Sequence, residues 1–238
     1  MKDKFVDILG FKVFSGSFNE ALKEIDNYDK VNIISANPEV LYSGFNNELL
    51  YENFKSENSF IIPDGVGTIV ASKLIKDPVK EKIAGVDFMQ AIIGKCEEEN
   101  KSIYLLGATE EVLQGCLSKI KEKYPRINIS GYRNGFFREE DEKHIVQNII
   151  QSKPYAIFIA MGCPKQEKFI IDYMDFIPCK IFMGVGGSFD VISGNVNRAP
   201  RWMIKLGLEW LYRIIKDPVR IRRLSSIPKF LWLVFKNR

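Results

Sequence analysis

The sequence is poor in histidine, which limits the chemistry that the protein can perform. Its 238 residues include one histidine, His144, in a charged stretch that is predicted to form a solvent-facing helix. A Ser-His-Asp or Cys-His arrangement is therefore disfavoured, and a metal site built from histidines is excluded. If the protein is an acid–base enzyme, a carboxylate must act as its base.

Paired cysteines and long apolar runs are also absent from the sequence. The four cysteines form no C-x-x-C pair, which indicates reduced thiols in the core of a cytosolic protein. No run approaches about 18 uncharged apolar residues, so we predict no membrane span, and the N-terminus shows no apolar core of a secretory signal. The composition, 46% apolar and 27% charged, is that of a soluble globular protein with one domain, or one domain and an appendage.

Charge is distributed unevenly along the chain. Residues 195–238, here called the basic tail, carry eleven Lys or Arg and two acidic residues, a net charge of +9. The whole chain carries +4, which leaves −5 for residues 1–194. We therefore predict an α/β domain over 1–194 and a basic amphipathic helical appendage over 195–238. Such asymmetry indicates an anionic partner, either nucleic acid or an anionic membrane.

Predicted strands alternate with predicted helices over residues 1–194. Two short strands around Gly10 are followed by strands at 31–35, 59–63, 102–108, 127–132, 155–162 and 179–186. A helix is predicted over 38–57, with a break near Asn46. Several strands are nearly continuous apolar runs, as expected where both faces of a sheet are covered. The pattern predicts an α/β fold, with a Rossmann-like, mostly parallel sheet and helices on both faces.

Polar or glycine-rich residues follow four of these strands. Ligands of open α/β sheets bind beyond the carboxyl ends of the strands, so the four segments together predict one cleft. Ser35 and Asn37 follow the strand at 31–35, although Asn37 could serve only as the cap of the next helix. Asp64 follows the strand at 59–63, beside Gly65 and Gly67, and is the candidate base. A turn or cap role is the alternative for Asp64.

The other two segments indicate an anion or a nucleotide. Lys165 and Gln166 begin the helix after the strand at 155–162, where free N–H groups and a lysine charge attract anions. The glycine-rich segment GVGGSFD (184–190) matches neither G-x-G-x-x-G nor the P-loop pattern, so alone it indicates only a phosphate or nucleotide nearby. Asp190 could hold a ribose or a base edge, or could cap its own helix. The candidate residues of this segment are Gly184, Gly186, Gly187 and Asp190.

The basic tail is predicted to form three helices, and it contains all three tryptophans of the protein. Basic amphipathic helices with aromatic apolar faces are typical of interfacial membrane binding. Aromatic and basic residues also suit single-stranded nucleic acid. The run KFLWLVF (229–235) is more apolar than a nucleic-acid groove requires, which favours an anionic membrane surface and no nucleic acid. Packing on the protein's own core is the alternative for part of residues 200–214.

The same segments resemble the WecG/TagA/CpsF family of bacterial glycosyltransferases over nearly the whole chain. The most specific motifs are PDGVGTIVASKL (63–74), GVDFM (85–89), YLLGA (104–108), GCPKQEKFI (162–170) and GVGGSFDVISGNVNRAP (184–200). The resemblance implies an inverting transferase that uses a UDP-sugar donor and needs no metal or other cofactor. It implies a polyprenyl-diphosphate-linked sugar acceptor, homo-oligomers, and a peripheral location on the cytoplasmic face of the cell membrane. In the wall teichoic acid branch, the donor is UDP-N-acetylmannosamine and the acceptor is undecaprenyl-diphosphate-linked N-acetylglucosamine.

The resemblance also implies roles for particular residues. It assigns the base to Asp64, a hydroxyl-x-Asn pair near the donor to Ser35 and Asn37, and a cleft glutamine to Gln166. The arginines of the tail that are expected to close over the diphosphates are Arg213, Arg220 and Arg223.

Two positions depart from the family pattern. Ser35 replaces the common threonine but keeps the hydroxyl group. Lys82, a predicted contact of the donor, stands where arginine is expected, and lysine lacks the bidentate geometry of arginine.

Two other functions fit parts of the sequence. A nucleotide-dependent oxidoreductase or epimerase is disfavoured because G-x-G-x-x-G and a Tyr-x-x-x-Lys pair in its expected context are missing. A non-enzymatic membrane or nucleic-acid adaptor would explain the basic tail, but it leaves the strand-end residues unexplained.

Overall fold

One eight-stranded sheet organises the protein, whose computed structural model describes residues 4–200, 202–203, 208–216 and 226–237. The strands are β1 (Phe5–Ile8), β2 (Phe11–Phe14), β3 (Val31–Ala36), β4 (Ser59–Pro63), β5 (Ser102–Gly107), β6 (Asn128–Arg133), β7 (Ala156–Ala160) and β8 (Ile181–Gly184). Their order across the sheet is β1-β2-β4-β3-β8-β7-β5-β6. β1 and β2 form an antiparallel hairpin, and the other neighbours are parallel. The predicted mostly parallel sheet is confirmed.

Helices connect the strands, as the alternating pattern predicts. They are α1 (Phe18–Glu24), α2 (Pro38–Phe45), α3 (Glu48–Lys55), α4 (Val66–Leu74), α5 (Gly85–Glu98), α6 (Glu110–Lys123), α7 (Glu139–Ser152), α8 (Lys165–Tyr173), α9 (Ser188–Ser193), α10 (Glu209–Lys216) and α11 (Ser226–Lys236). The predicted break near Asn46 is confirmed, because Asn47 caps α3 through its side chain. None of the described helices is both long enough and apolar enough to cross a membrane.

Apolar side chains from both faces of the sheet form the core. Alternate residues of a strand point to opposite faces, and both faces are buried here. Ile33 of β3 packs with residues of α5, α6 and α9 on one face. The neighbouring Ile34 packs with residues of α2, α4 and α11 on the other face, where α7 and α8 cover a third cluster. Helices therefore cover both faces, as predicted.

Helix α11 corrects the interpretation of the final apolar run. The sequence predicts packing on the protein's own core within residues 200–214, and it favours a membrane surface for residues 229–235. In the structure, Phe230 and Val234 are buried against α2 and α4, while Trp232 remains 60% exposed. Residues four apart lie on one face of a helix, so the run divides into a buried face and an exposed one. Part of the basic tail is thus core structure of the α/β domain.

We expect Phe230→Ala to lower the free energy of unfolding by about 3–5 kcal/mol, because it removes a fully buried aromatic side chain and leaves a cavity. Trp232→Ala on the same helix is the matched control and should cost under about 1 kcal/mol, since its side chain is largely exposed. Urea unfolding monitored by circular dichroism measures both changes. Equal effects of the two variants would contradict the observed docking of α11.

Candidate active site

The Asp64 carboxylate is held in place at the carboxyl ends of β3 and β4. These strands are parallel neighbours in which Ser35 pairs with Ile62 and Ala36 with Pro63, so the segments that follow them lie side by side. The Ser35 hydroxyl donates to Asp64 Oδ2 at 2.8 Å, and the Gly85 N–H donates to the same oxygen at 3.2 Å. Within the described residues Oδ1 accepts no hydrogen bond, so this oxygen is available to accept a proton.

Gly85 is a site residue that the sequence analysis did not assign. A Cβ added at this position would lie 2.6 Å from Ser35 Oγ and 3.4 Å from Asp64 Oδ2. The first of these distances is far below van der Waals contact, so a larger residue would displace the serine or its hydrogen bond. A glycine that opens a helix, where propensity disfavours it, is the signal that could have identified this position.

Asn37 is observed in the capping role that the sequence left open. Its side-chain oxygen accepts hydrogen bonds from the backbone N–H groups of Glu39 and Val40, both at 3.0 Å. This arrangement fixes the start of α2 directly beside Gly65, because a Cβ on Gly65 would lie 3.6 Å from the Asn37 Cβ. A contact between the Asn37 amide group and a donor stays a prediction.

Gln166 joins the segments that follow β7 and β8. It is only 4% exposed, and its side-chain oxygen accepts from the N–H groups of Gly162 at 3.1 Å and Gly186 at 3.0 Å. Its amide nitrogen lies so close to Gly184 that an added Cβ would be 2.6 Å away. Gln166 therefore fixes the shape of this part of the edge, and a direct contact with a ligand stays a prediction.

A cleft of about 640 Å³ opens next to these segments. Residues at or beyond the ends of β5, β6, β7 and β8 line it. Among them are the predicted Lys165 and Asp190 and the unpredicted Thr109 and Arg133. The chain leaves β5 toward β6 on one side and leaves β7 toward β8 on the other, so the cleft lies at a topological switch point. Ligands of open α/β sheets bind at such points. Arg133 ends an edge strand, where the sequence pattern gave no reason to expect a ligand.

The cleft and the Asp64 carboxylate lie at different places on one edge of the sheet. Between β7 and β4 lie β8 and β3, so the two places are about 14 Å apart at the usual strand spacing. Gly186 and the exposed Gly187 follow β8 between them. The structure thus brings Lys165 and Asp190 together in the cleft, and Ser35 and Asp64 together beyond it. An extended ligand could reach from one group to the other.

Four charged residues surround the first turn of α5, near Asp64. Lys82 Nζ lies 3.3 Å from Glu209 Oε2, so the predicted donor contact is paired with the basic tail in this structure. The Arg198 guanidinium donates to both oxygens of Asp87, at 2.6 and 3.1 Å. Burial acts to lower the pKa of Arg198, but Asp87, with the Glu209 and Asp64 carboxylates, raises it above its ordinary value. The side chain of Arg213 and all of Arg220 and Arg223 lie outside the described residues.

The cysteine thiols and His144 have the surroundings that the sequence predicts. All four cysteines are free thiols, and burial raises the pKa of Cys96 and Cys116 to about 12, which makes these thiols unreactive. His144 is exposed on α7. In the described part of the chain, no three His, Cys, Asp or Glu side chains are grouped so that they could hold a metal ion.

Comparison with known proteins identifies the family. The family model described as "Glycosyl transferase WecG/TagA/CpsF family" matches residues 6–238. The chain therefore belongs to this family and is a glycosyltransferase, as its motifs predict.

Individual relatives carry a more specific name. The chain is 41% identical over 205 residues to the N-acetylglucosaminyldiphosphoundecaprenol N-acetyl-beta-D-mannosaminyltransferase of Bacillus subtilis (strain 168), covering 86% of this chain and 79% of the relative. The enzyme of the same name from Staphylococcus aureus (strain MW2) is 33% identical over 239 residues, covering 98% and 93%. The matches thus extend over most of both chains.

We expect Gly85→Ala to lower the turnover of the transferase about 10- to 100-fold, because the added methyl group displaces Ser35 and with it the Asp64 carboxylate by a fraction of an ångström or more. Gly94→Ala in the same helix is the matched control, since its Cβ would lie 3.4 Å from Tyr124 and make an ordinary contact. Steady-state assays of both purified variants, with circular dichroism to verify folding, make the comparison. Full activity of Gly85→Ala would show that the Ser35–Asp64 geometry is unimportant.

Glu167 is a buried carboxyl group behind Gln166. It is 5% exposed, and its Oε1 accepts a hydrogen bond from the Gln166 amide at 2.8 Å. Its Oε2 is buried without a hydrogen-bond partner among the described residues. Burial raises the pKa of Glu167 above the ordinary value of 4.5, because the charged form loses its hydration.

The raised pKa of Glu167 predicts a pH-dependent loss of stability. The folded protein holds this proton more tightly than the unfolded chain, so stability falls as the pH rises from about 4.5 through the raised pKa. Relative to Glu167→Gln, which cannot ionise, wild-type protein should lose up to about 1.4 kcal/mol per pH unit within that window. Urea unfolding of both proteins at pH 5 and pH 8 measures this difference. Asp172→Asn, which removes an exposed carboxylate on α8, is the control. A pH-independent difference between wild type and Glu167→Gln would contradict it.

Proposed function

We propose that the protein transfers N-acetylmannosamine from UDP-N-acetylmannosamine to undecaprenyl-diphosphate-linked N-acetylglucosamine, with inversion and without a metal ion. The observation that carries the proposal is the Asp64 carboxylate, oriented by two hydrogen bonds on one oxygen and placed on the same sheet edge as a cation-lined cleft. The names of the related enzymes give the sugar and the lipid-linked acceptor.

Asp64 provides the base that this reaction requires. Its Oδ2 is occupied by Ser35 and Gly85, so Oδ1 takes the proton of the acceptor hydroxyl. The acceptor oxygen then attacks the anomeric carbon of the donor while the bond from that carbon to the UDP oxygen breaks on the opposite side. A single displacement inverts the configuration, and it needs only this one carboxylate.

The departing UDP carries negative charge that the cleft can stabilise. Lys165 lies at the start of α8, where the N–H groups of the helix also favour an anion, and Arg133 lines the same cleft. Asp190 is placed to accept a hydrogen bond from a ribose or a base. The diphosphate would then lie over Gly186 and Gly187, with the sugar directed toward Asp64. Arg213, Arg220 and Arg223 of the basic tail are proposed to complete this neutralisation.

The acceptor lipid implies that the protein works at a membrane surface. Large apolar side chains of the basic tail are exposed in the described residues, and they are Trp202, Ile215, Trp232 and Phe235. Together with the net charge of +9, they support peripheral binding to the anionic cytoplasmic face of the membrane. Assembly into homo-oligomers is part of the same proposal.

We expect wild-type protein in EDTA to release UDP from UDP-N-acetylmannosamine when a soluble lipid-diphosphate-N-acetylglucosamine is present. Asp64→Asn should lower this rate about 10²- to 10⁴-fold, because the amide cannot accept the proton. Asp172→Asn is the control for removal of an aspartate elsewhere. A coupled assay for UDP measures all three proteins.

Each part of the proposal can fail separately in this assay. Release with a different UDP-sugar, and none with UDP-N-acetylmannosamine, would contradict the donor. Full activity of Asp64→Asn would contradict the base. Loss of wild-type activity in EDTA, restored by a divalent cation, would contradict metal independence.

A further inference from the structure

The first residue of α10 connects the basic tail to the α/β domain through charge. Glu209 has a side chain that is only 12% exposed, and its Oε2 lies 3.3 Å from Lys82 Nζ. Its Oε1 lies 4.0 Å from Arg198 Nε. The two cations come from distant parts of the chain, since Lys82 precedes α5 in the α/β domain and Arg198 follows α9 at the start of the basic tail. The carboxylate of Glu209 thus faces one cation of the domain and one cation that leads into the tail.

Arg198 is bonded to α5, the helix whose first residue orients Asp64. Arg198 is held by Asp87, which lies in the first turn of α5, two residues after Gly85. The backbone N–H of Gly85 donates to Asp64. The contact from Glu209 therefore continues through Arg198 and Asp87 to the same helical turn that fixes the candidate base.

Arg198 has one further donor, Nε, that faces Glu209 of α10. Its Nε is buried and makes no hydrogen bond within the described residues, although Glu209 Oε1 is 4.0 Å away. The other guanidinium nitrogens are committed to Asp87. Because Asp87 fixes the plane of the guanidinium, the direction from which a carboxylate can approach Nε is fixed as well.

We propose that Glu209 is a positioning residue, whose carboxylate seats α10 on Lys82 and Arg198 and so places the tail beside the catalytic carboxylate. The inference rests on the proposed function. Arg213 follows Glu209 by four residues in α10, which is about 6 Å along the helix axis. The position of Glu209 thereby determines where the backbone of Arg213 lies relative to the departing diphosphate.

Helices α10 and α11 are held to the rest of the protein by different kinds of interaction. Phe230 and Val234 dock α11 by apolar burial, whereas Glu209 contacts Lys82 and Arg198 through charge. Removal of the Glu209 charge should therefore loosen α10 while α11 keeps its place. This difference provides an internal control within one protein.

The test uses full-length protein and Glu209→Gln, which keeps the shape of the side chain and removes its charge. We expect amide hydrogen exchange of residues 209–216 to accelerate about tenfold, with no change in residues 226–236. In the UDP-release assay, kcat should fall about tenfold while KM for the donor stays within about threefold. Glu48→Gln is the matched control, because Glu48 is an exposed glutamate at the start of α3.

A double-mutant comparison tests whether Lys82 helps to hold Glu209. If it does, Glu209→Gln should accelerate exchange less in Lys82→Met protein than in wild-type protein, because Lys82→Met already removes one of the two contacts. Fully additive effects of the two changes would overturn the Lys82 contact.

Other outcomes overturn the proposal or the function beneath it. Unchanged exchange in Glu209→Gln would show that the carboxylate does not seat α10. Faster exchange with an unchanged or higher kcat would show that the seat does not assist the reaction. Absence of UDP release by wild-type protein would refute the proposed function, and the exchange measurement, which needs no substrate, would still decide how α10 is held.

Discussion

The hydrogen bond from the Ser35 hydroxyl to the Asp64 carboxylate is the interaction around which the candidate site is built. It requires β3 and β4 to be parallel and in register up to their last residues, so that two consecutive strand ends present their side chains together. The Thr68 hydroxyl donates to the Ala36 carbonyl at 2.6 Å and fastens α4 to the end of β3. Gly85 then closes the arrangement from α5 with its N–H, where any side chain would intrude. Three elements of the fold, β3, β4 and α5, therefore meet at one carboxylate, and α4 is fastened beside them.

Gln166 has a corresponding role on the next two strands. It accepts hydrogen bonds from the segments that follow β7 and β8, and it keeps the glycine-rich segment in a fixed shape without exposing itself. Buried polar contacts thus fix the shape of the sheet edge between the cleft and Asp64. Such contacts are costly if they are incomplete, and this makes the shape of the edge specific. Glu167 accepts the hydrogen bond of the Gln166 amide from a buried position, and this burial raises the pKa of Glu167.

The fold and the edge could be predicted because they follow from local patterns. Apolar runs and capping residues such as Asn47 determine the elements, and parallel strands bring their ends together. Arg198 and Glu209 could not be found in this way, since their importance depends on contacts between segments distant in the chain. The division of residues 229–235 into a buried and an exposed face required knowledge of what α11 packs against. The distance between the cleft and Asp64 required the strand order.

The packing of α11 also affects how such a tail could be exchanged between proteins. Its buried face rests on α2 and α4, and both helices begin at the edge of the sheet that carries the candidate site, one at Asn37 and the other beside Asp64. A recombination event that replaced the tail would have to supply a helix complementary to these two surfaces, or leave their apolar flanks exposed to water. The tail is therefore not a portable module. The inner face of α11 must change together with the helices that frame the candidate site.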